Sequence, residues 1–260
     1  MRHTKDLFSL DGRVAIVTGG RGLYGASISL GLCEMGATVV IASRSGEKCE
    51  EYAKELREQG YSAYGMSLDL SDDASIKALA KDVYDRFGKI DILVNNAVDR
   101  RNMTSLADAT REKLRDSAET NLNGQMLLSQ AVLEYMIPAG KGNIINISSM
   151  RGLDCPHFPY YTVDQPINYT TEKWAMVGMT KYMAGRYGKN GIRVNCVAPG
   201  GFNPNITEAD PFHKHYIDNC PLGCWANEDD IKGPVAFLAS DAANYVTGAT
   251  LVMDGGWTIW

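Results

Sequence analysis

Short runs rich in Val, Ile and Leu recur along the chain at 13–17, 38–42, 63–68, 90–94, 142–148, 192–197 and 250–253. Between them lie longer stretches whose apolar positions repeat at helical spacing. Runs apolar at nearly every position are strands buried on both faces, and their alternation with helices predicts a parallel sheet covered on each side. The pattern therefore predicts an α/β fold, a doubly wound parallel sheet, with all 260 residues in a single domain. No internal repeat, low-complexity tract or linker interrupts it. The least regular stretches are 153–168 and 201–223, both at predicted carboxyl ends of strands, where this architecture binds ligands. The first is expected to be an active-site insert and the second a substrate loop.

The first apolar run leads into Thr18-Gly-Gly-Arg-Gly-Leu-Tyr-Gly25 and then into a helix-period run towards Met35. A strand, a glycine turn and a helix in that order let the backbone turn sharply and approach a pyrophosphate. The free N–H groups at the helix N-terminus favour its charge.

Tyr169 and Lys173 lie four residues apart, which puts a phenol and an ammonium on one helix face. A phenol titrates near ~10 in water, so a base working at neutral pH needs its phenolate favoured by about 4 kcal/mol, part of which a neighbouring cation supplies. The same spacing also occurs on exposed helices, where such a pair has little effect.

Taken together, Thr18-Gly19 to Gly25, Asn95-Asn96-Ala97, Asn121, Ser149, Tyr169 with Lys173, and Pro199-Gly200 resemble the short-chain dehydrogenase/reductase family over residues 10–256. The resemblance implies one Rossmann-like domain, a nicotinamide dinucleotide, hydride exchange between an alcohol and a carbonyl, and a homotetramer. It makes Tyr169 the acid/base, Lys173 the group that lowers its pKa and holds the nicotinamide ribose, and Ser149 the hydrogen-bond donor to the reacting oxygen. Ser148 is the alternative for that last role. Asn121 would hold a water linking Lys173 to solvent, although a structural hydrogen bond would satisfy a buried asparagine equally well. Gly19, Arg21, Gly22, Leu23 and Tyr24 would surround the pyrophosphate, Asp69 and Leu70 the adenine, and Asn96, Ala97 and Val98 the adenosine side. Pro199, Gly200 and Phe202 would shape the nicotinamide pocket.

Four departures from the family pattern stand out. Leu23 and Val98 replace glycines, Pro204 stands where a threonine often meets the carboxamide, and the stretch from Ser149 to Tyr169 is longer than usual. After the second strand, the position that carries an acid in NAD-selective sites is Ser43, followed by Arg44. An arginine there, with Arg21 in the glycine turn, grips a 2'-phosphate and favours NADP over NAD. The other reading makes both arginines solvated surface charges.

Arg100, Arg101 and Arg151 converge on one mouth in this topology, where they either bind an anionic substrate or pair with carboxylates such as Asp154 and Asp164. The insert adds His157, Tyr160, Tyr161 and Gln165, suited to a hydroxylated substrate. The leading expectation is an NADP-linked oxidoreductase of a small polar compound, a sugar acid or a polyol. A 3-oxoacyl thioester reductase and a dinucleotide-binding regulator without turnover are the alternatives.

A formal net charge of -5 provides no broad basic field for nucleic acid or an anionic membrane. No run reaches the length of a membrane span and the first ten residues lack a signal-peptide core, so a cytoplasmic protein is expected. The six cysteines lack the spacing of a disulfide framework. His213, His215, Cys220 and Cys224 lie close in sequence but without zinc-site spacing, and no metal is expected.

Overall fold

The computed structural model describes residues 1–161 and 164–260, the side chain of Tyr160 excepted. In chain order the elements are α1 (Thr4–Phe8), β1 (Val14–Thr18), α2 (Tyr24–Glu34), β2 (Thr38–Ser43), α3 (Gly46–Glu58), β3 (Ala63–Ser67), α4 (Asp73–Phe87) and β4 (Ile92–Asn95). They continue as α5 (Arg111–Ala118), a π turn (Glu119–Asn123), α6 (Gly124–Ala139), β5 (Gly142–Ile147), α7 (Ile167–Tyr187), β6 (Ile192–Pro199), α8 (Pro211–Asn219), α9 (Lys232–Ala239) and β7 (Thr250–Met253).

Among the described residues the strands form one seven-stranded sheet in the order β3-β2-β1-β4-β5-β6-β7, each neighbouring pair parallel. Side chains alternate across a strand, so β1 feeds two cores. Val14 and Ile16 pack with Leu79, Leu128 and Met176 on one face, while Ala15 and Val17 pack with Ile28, Leu32 and Val235 on the other. This double burial is why the strands read as unbroken apolar runs.

The chain order reverses between β1 and β4, and the crevice outside the strand ends at that point is where an open α/β sheet binds its ligand. The stretch 201–223 is more regular than its composition predicted, because it contains α8. Asp210 caps this helix by accepting from the Phe212 N–H, and Pro211 stands in its first turn. The stretch 153–168 contains a 3₁₀ turn, Phe158–Tyr160, and its last two residues already belong to α7.

Candidate active site

The strand ends open into a cleft of about 840 Å³, within the range of small-molecule and cofactor sites. Gly19, Arg21, Gly22, Leu23 and Tyr24 line one end with Ser43, Arg44, Asp69 and Leu70; Asn96, Ala97 and Val98 form the floor beside them. Pro199 and Gly200 line the other end with Ser149, Tyr169 and Lys173, and Phe202 joins the two, its ring stacked on that of Tyr24 at 4.4 Å. Pro204 is exposed and lies outside this lining.

The glycine turn is tied to the turn after β4. Thr18 Oγ1 accepts the backbone N–H groups of Asn96 and Ala97, both at 3.0 Å, and Asn96 Nδ2 donates back to the Thr18 carbonyl at 2.9 Å. The Asn96 side chain thus holds the turn's shape. A Cβ on Gly25 would stand 2.1 Å from the Gly19 carbonyl oxygen, so only glycine closes this turn onto α2. Leu23, where the family pattern has glycine, adopts φ 39° and ψ -125° immediately before α2 and is the one non-glycine with positive φ among the described residues. A branched side chain there is strained by about 1–3 kcal/mol.

At the Arg44 end, cations and carboxylates are interleaved. Arg44 Nη1 lies 3.4 Å from Asp99 Oδ2, and Arg101 pairs with the same carboxylate. The hydrogen bond from Arg101 holds the Asp99 carboxyl below the usual range, and the Ser71 hydroxyl and amide do the same for Asp69. Arg101 is therefore paired, and of the three arginines raised from the sequence only Arg100 and Arg151 line the cleft.

The reacting end is built by packing α7 against β5. Lys173 is 6% exposed; its Nζ donates to the Ile147 carbonyl at 2.8 Å and lies 5.6 Å from the centre of the half-buried Tyr169 ring. Ser148 Oγ donates to the Lys173 carbonyl at 2.8 Å, which makes Ser148 a brace for α7. Ser149 faces the cleft and accepts the Arg151 N–H at 3.1 Å. Gly152 permits this close packing, because a Cβ there would stand 2.4 Å from Ser148 Oγ and 2.6 Å from the Lys173 carbonyl oxygen.

Of the two readings of Asn121 taken from the sequence, its side chain shows the structural hydrogen bonds. Asn121 lies in the π turn, a feature often found at functional sites, but its side chain is outside the cleft lining. Its Oδ1 accepts the Asp99 N–H at 2.6 Å, and its Nδ2 donates to the Asp99 carbonyl and to Glu172 Oε2, both at 2.9 Å. Its backbone carbonyl accepts Gln125 Nε2 at 3.0 Å. The side chain is wholly engaged in these structural bonds.

Arg151, 6% exposed, donates to the Tyr161 hydroxyl and to the Cys155 carbonyl at 3.3 Å, with Asp154 at 3.5 Å. It braces the insert while also lining the cleft. Tyr161 and Gln165 line the cleft too; the Tyr160 side chain lies outside the described residues. His157 does not line it and packs on the Trp257 ring at 5.7 Å.

Among the cleft residues that sequence reasoning did not single out are two large aromatic side chains, Phe212 and Trp225. Phe212 packs on Tyr161 at 4.5 Å, and Trp225 begins a stack with Tyr216 at 4.0 Å that continues from Tyr216 to Trp257 at 4.7 Å. Their only signal was an unusual density of aromatic residues between 212 and 225. In the same region His213 stacks on Trp225 and Cys220 is buried against the Gly255 carbonyl. Among the described residues no group of three His, Cys, Asp or Glu is placed to hold a metal ion.

The chain belongs to the short-chain dehydrogenase/reductase family of oxidoreductases: residues 22–258 match the family model described as Enoyl-(Acyl carrier protein) reductase. It is 35% identical to the D-threitol dehydrogenase of Mycolicibacterium smegmatis, covering 97% of this chain and 95% of that one. It is equally identical, 35%, to the gluconate 5-dehydrogenase of Gluconobacter oxydans, covering 98% of each. A crystal structure of a gluconate 5-dehydrogenase from Burkholderia cenocepacia, in complex with NADP and tartrate, superposes with a TM-score of 0.90 at 34% identity over 99% of this chain and 100% of that one.

Proposed function

We propose that the protein is an NADP-dependent dehydrogenase that interconverts an alcohol and a carbonyl on a small sugar acid. Arg151 carries the anionic half of this reading: it is a buried guanidinium that lines the cleft beside Ser149 and Tyr169. Arg100 supplies a second cation at the same mouth. Charge-assisted bonds from such groups recognise a carboxylate, and the aromatic wall of Tyr161, Phe212 and Trp225 suits the carbon chain. The relatives named as gluconate 5-dehydrogenases support an acid, and the D-threitol dehydrogenase supports a polyol.

The residues present fit a dinucleotide. The glycine turn admits backbone close to a pyrophosphate, and Arg21 and Arg44 line the end at which a 2'-phosphate would lie. When bound, the nicotinamide exchanges the hydride. Tyr169 then moves the proton on the substrate oxygen, the Ser149 hydroxyl holds that oxygen in place, and Lys173 keeps positive charge beside the phenol. Asn121 serves this site by shaping the turn between β4 and the cleft. The insert 153–168 and the loop 201–223 close over the substrate, and His157 supports the insert from behind.

The protein works as a homotetramer in the cytoplasm. Exposed apolar residues on α7, Trp174 and Tyr182, and at the C-terminal end, Ile259 and Trp260, support subunit contacts. All six cysteines are free, and among the described residues no helix is long and apolar enough to cross a membrane.

A screen of aldonic acids, keto-acids and matched neutral polyols with NADP(H) tests the reading. Acids should be preferred, and Arg100→Ala should lower kcat/KM for an acid by about tenfold while changing that for its neutral analogue less. No preference for acids in the screen, with an acid-to-neutral ratio unchanged in both Arg100→Ala and Arg151→Ala, would make the substrate a neutral polyol.

A further inference from the structure

Glu172 precedes Lys173 on α7, is 5% exposed and lines no part of the cleft. Both carboxylate oxygens are engaged: Ser117 Oγ of α5 donates to Oε1 at 2.6 Å, and Asn121 Nδ2 of the π turn donates to Oε2 at 2.9 Å. Burial pushes this carboxyl above the usual range, and the bonds from Ser117 and Asn121, with the charge of Lys173, offset part of that.

Burying a carboxylate costs more than an apolar side chain of the same size would. If this position had only to pack α5 against α7, that cost would bring nothing. What the carboxylate adds is directional. It shares one proton of the Asn121 amide with Ser117 Oγ, which accepts at 3.2 Å, leaving the other proton and the carbonyl oxygen of that amide to clamp both backbone polar groups of Asp99. Asp99 ends the turn Asn96-Ala97-Val98 on the cleft floor, and Ala97 is tied to the same π turn through Gln125 Nε2, which donates to its carbonyl at 2.8 Å. The chain of contacts runs from the Lys173 helix through Glu172 and Asn121 to the cofactor floor.

We propose that Glu172 is a positioning residue of the reaction site, one that fixes Asn121 and the Asp99 turn relative to Lys173 so that Lys173 and Tyr169 meet the nicotinamide end of the cleft in register. It rests on the assignment of Tyr169 and Lys173 to proton transfer.

The test compares Glu172→Ala, Glu172→Gln, Asn121→Ala and the Glu172→Ala/Asn121→Ala double variant, with Tyr169→Phe alongside, by kcat, KM and NADPH titration. Glu172→Ala should lower kcat by about 10- to 100-fold with KM and cofactor affinity little changed. Glutamine keeps an acceptor for Asn121 while the Ser117 hydroxyl turns to accept, so Glu172→Gln should recover most of the lost kcat. Because Glu172 acts through Asn121, the double variant should be no slower than Asn121→Ala.

A wild-type kcat in Glu172→Ala, no recovery with glutamine, or losses that multiply in the double variant would each overturn the proposal. Should Glu172→Ala fail to fold, Ser117→Ala takes its place. A kcat several-fold lower at unchanged cofactor affinity supports the role, and an unchanged kcat refutes it. Full turnover in Tyr169→Phe would instead mean that the site assignment itself had failed.

Discussion

Arg44 and Asp99, contributed from the ends of β2 and β4, meet across the cleft lining as an ion pair of 3.4 Å. The Arg44 side chain is 53% exposed and that of Asp99 only 7%, but Arg101 pairs with the same carboxylate and stays there when Arg44 turns away. The guanidinium can therefore leave Asp99 for a phosphate at little cost.

Cofactor choice follows from that relationship. NADPH should bind more tightly than NADH, and Arg44→Ala should weaken NADPH by about 1.5–3 kcal/mol, a charge-assisted hydrogen bond, with a much smaller effect on NADH. Fluorescence titration of both cofactors measures it. Equal wild-type affinities would refute the 2'-phosphate role of Arg44.

Acid should destabilise the fold partly through Asp99. Its folded pKa lies below the unfolded value because Arg101 bonds the charged form. The resulting stability is present above the unfolded carboxylate value of ~3.9 and is lost as pH falls through the folded one. In urea unfolding, Asp99→Asn should be less stable than wild type near neutral pH, and the gap should narrow in acid. A gap that stays constant with pH would show that the carboxylate charge is not its source.

Leu23 carries strain that glycine would relieve. Leu23→Gly removes a Cβ from a backbone held at φ 39°, which favours the folded state, although glycine's freer unfolded chain offsets part of the gain of about 1–3 kcal/mol. Thermal unfolding should show an unchanged or raised midpoint. A midpoint several degrees lower would mean that the exposed Leu23 side chain makes contacts that outweigh the strain.

The sequence revealed those parts of the protein whose cause is local. Strands buried on two faces appear as apolar runs, and Tyr169 with Lys173 appears as a helical spacing. The cleft residues Gly19, Ser43, Asp69, Asn96, Ser149 and Gly200 lie at or just after the ends of strands that the run pattern already located. Even α8 had a start signal in Asp210-Pro211, hidden within a polar stretch. What stayed hidden depends on contacts between distant segments. The Glu172–Asn121 bond joins residues 51 apart, and Tyr216 stacks on Trp257 across 41 positions. No spacing rule reaches that far, so neither the direction of the Asn121 amide nor the aromatic wall of the mouth could be read in advance.

Proton transfer at this site depends most directly on Tyr169. Tyr169→Phe keeps the ring beside Lys173 and removes only the hydroxyl, so NADPH affinity should stay near the wild-type value while kcat falls by about 10² to 10⁴. Turnover within a few-fold of wild type, with the cofactor still bound, would contradict the assignment of this phenol as the acid/base.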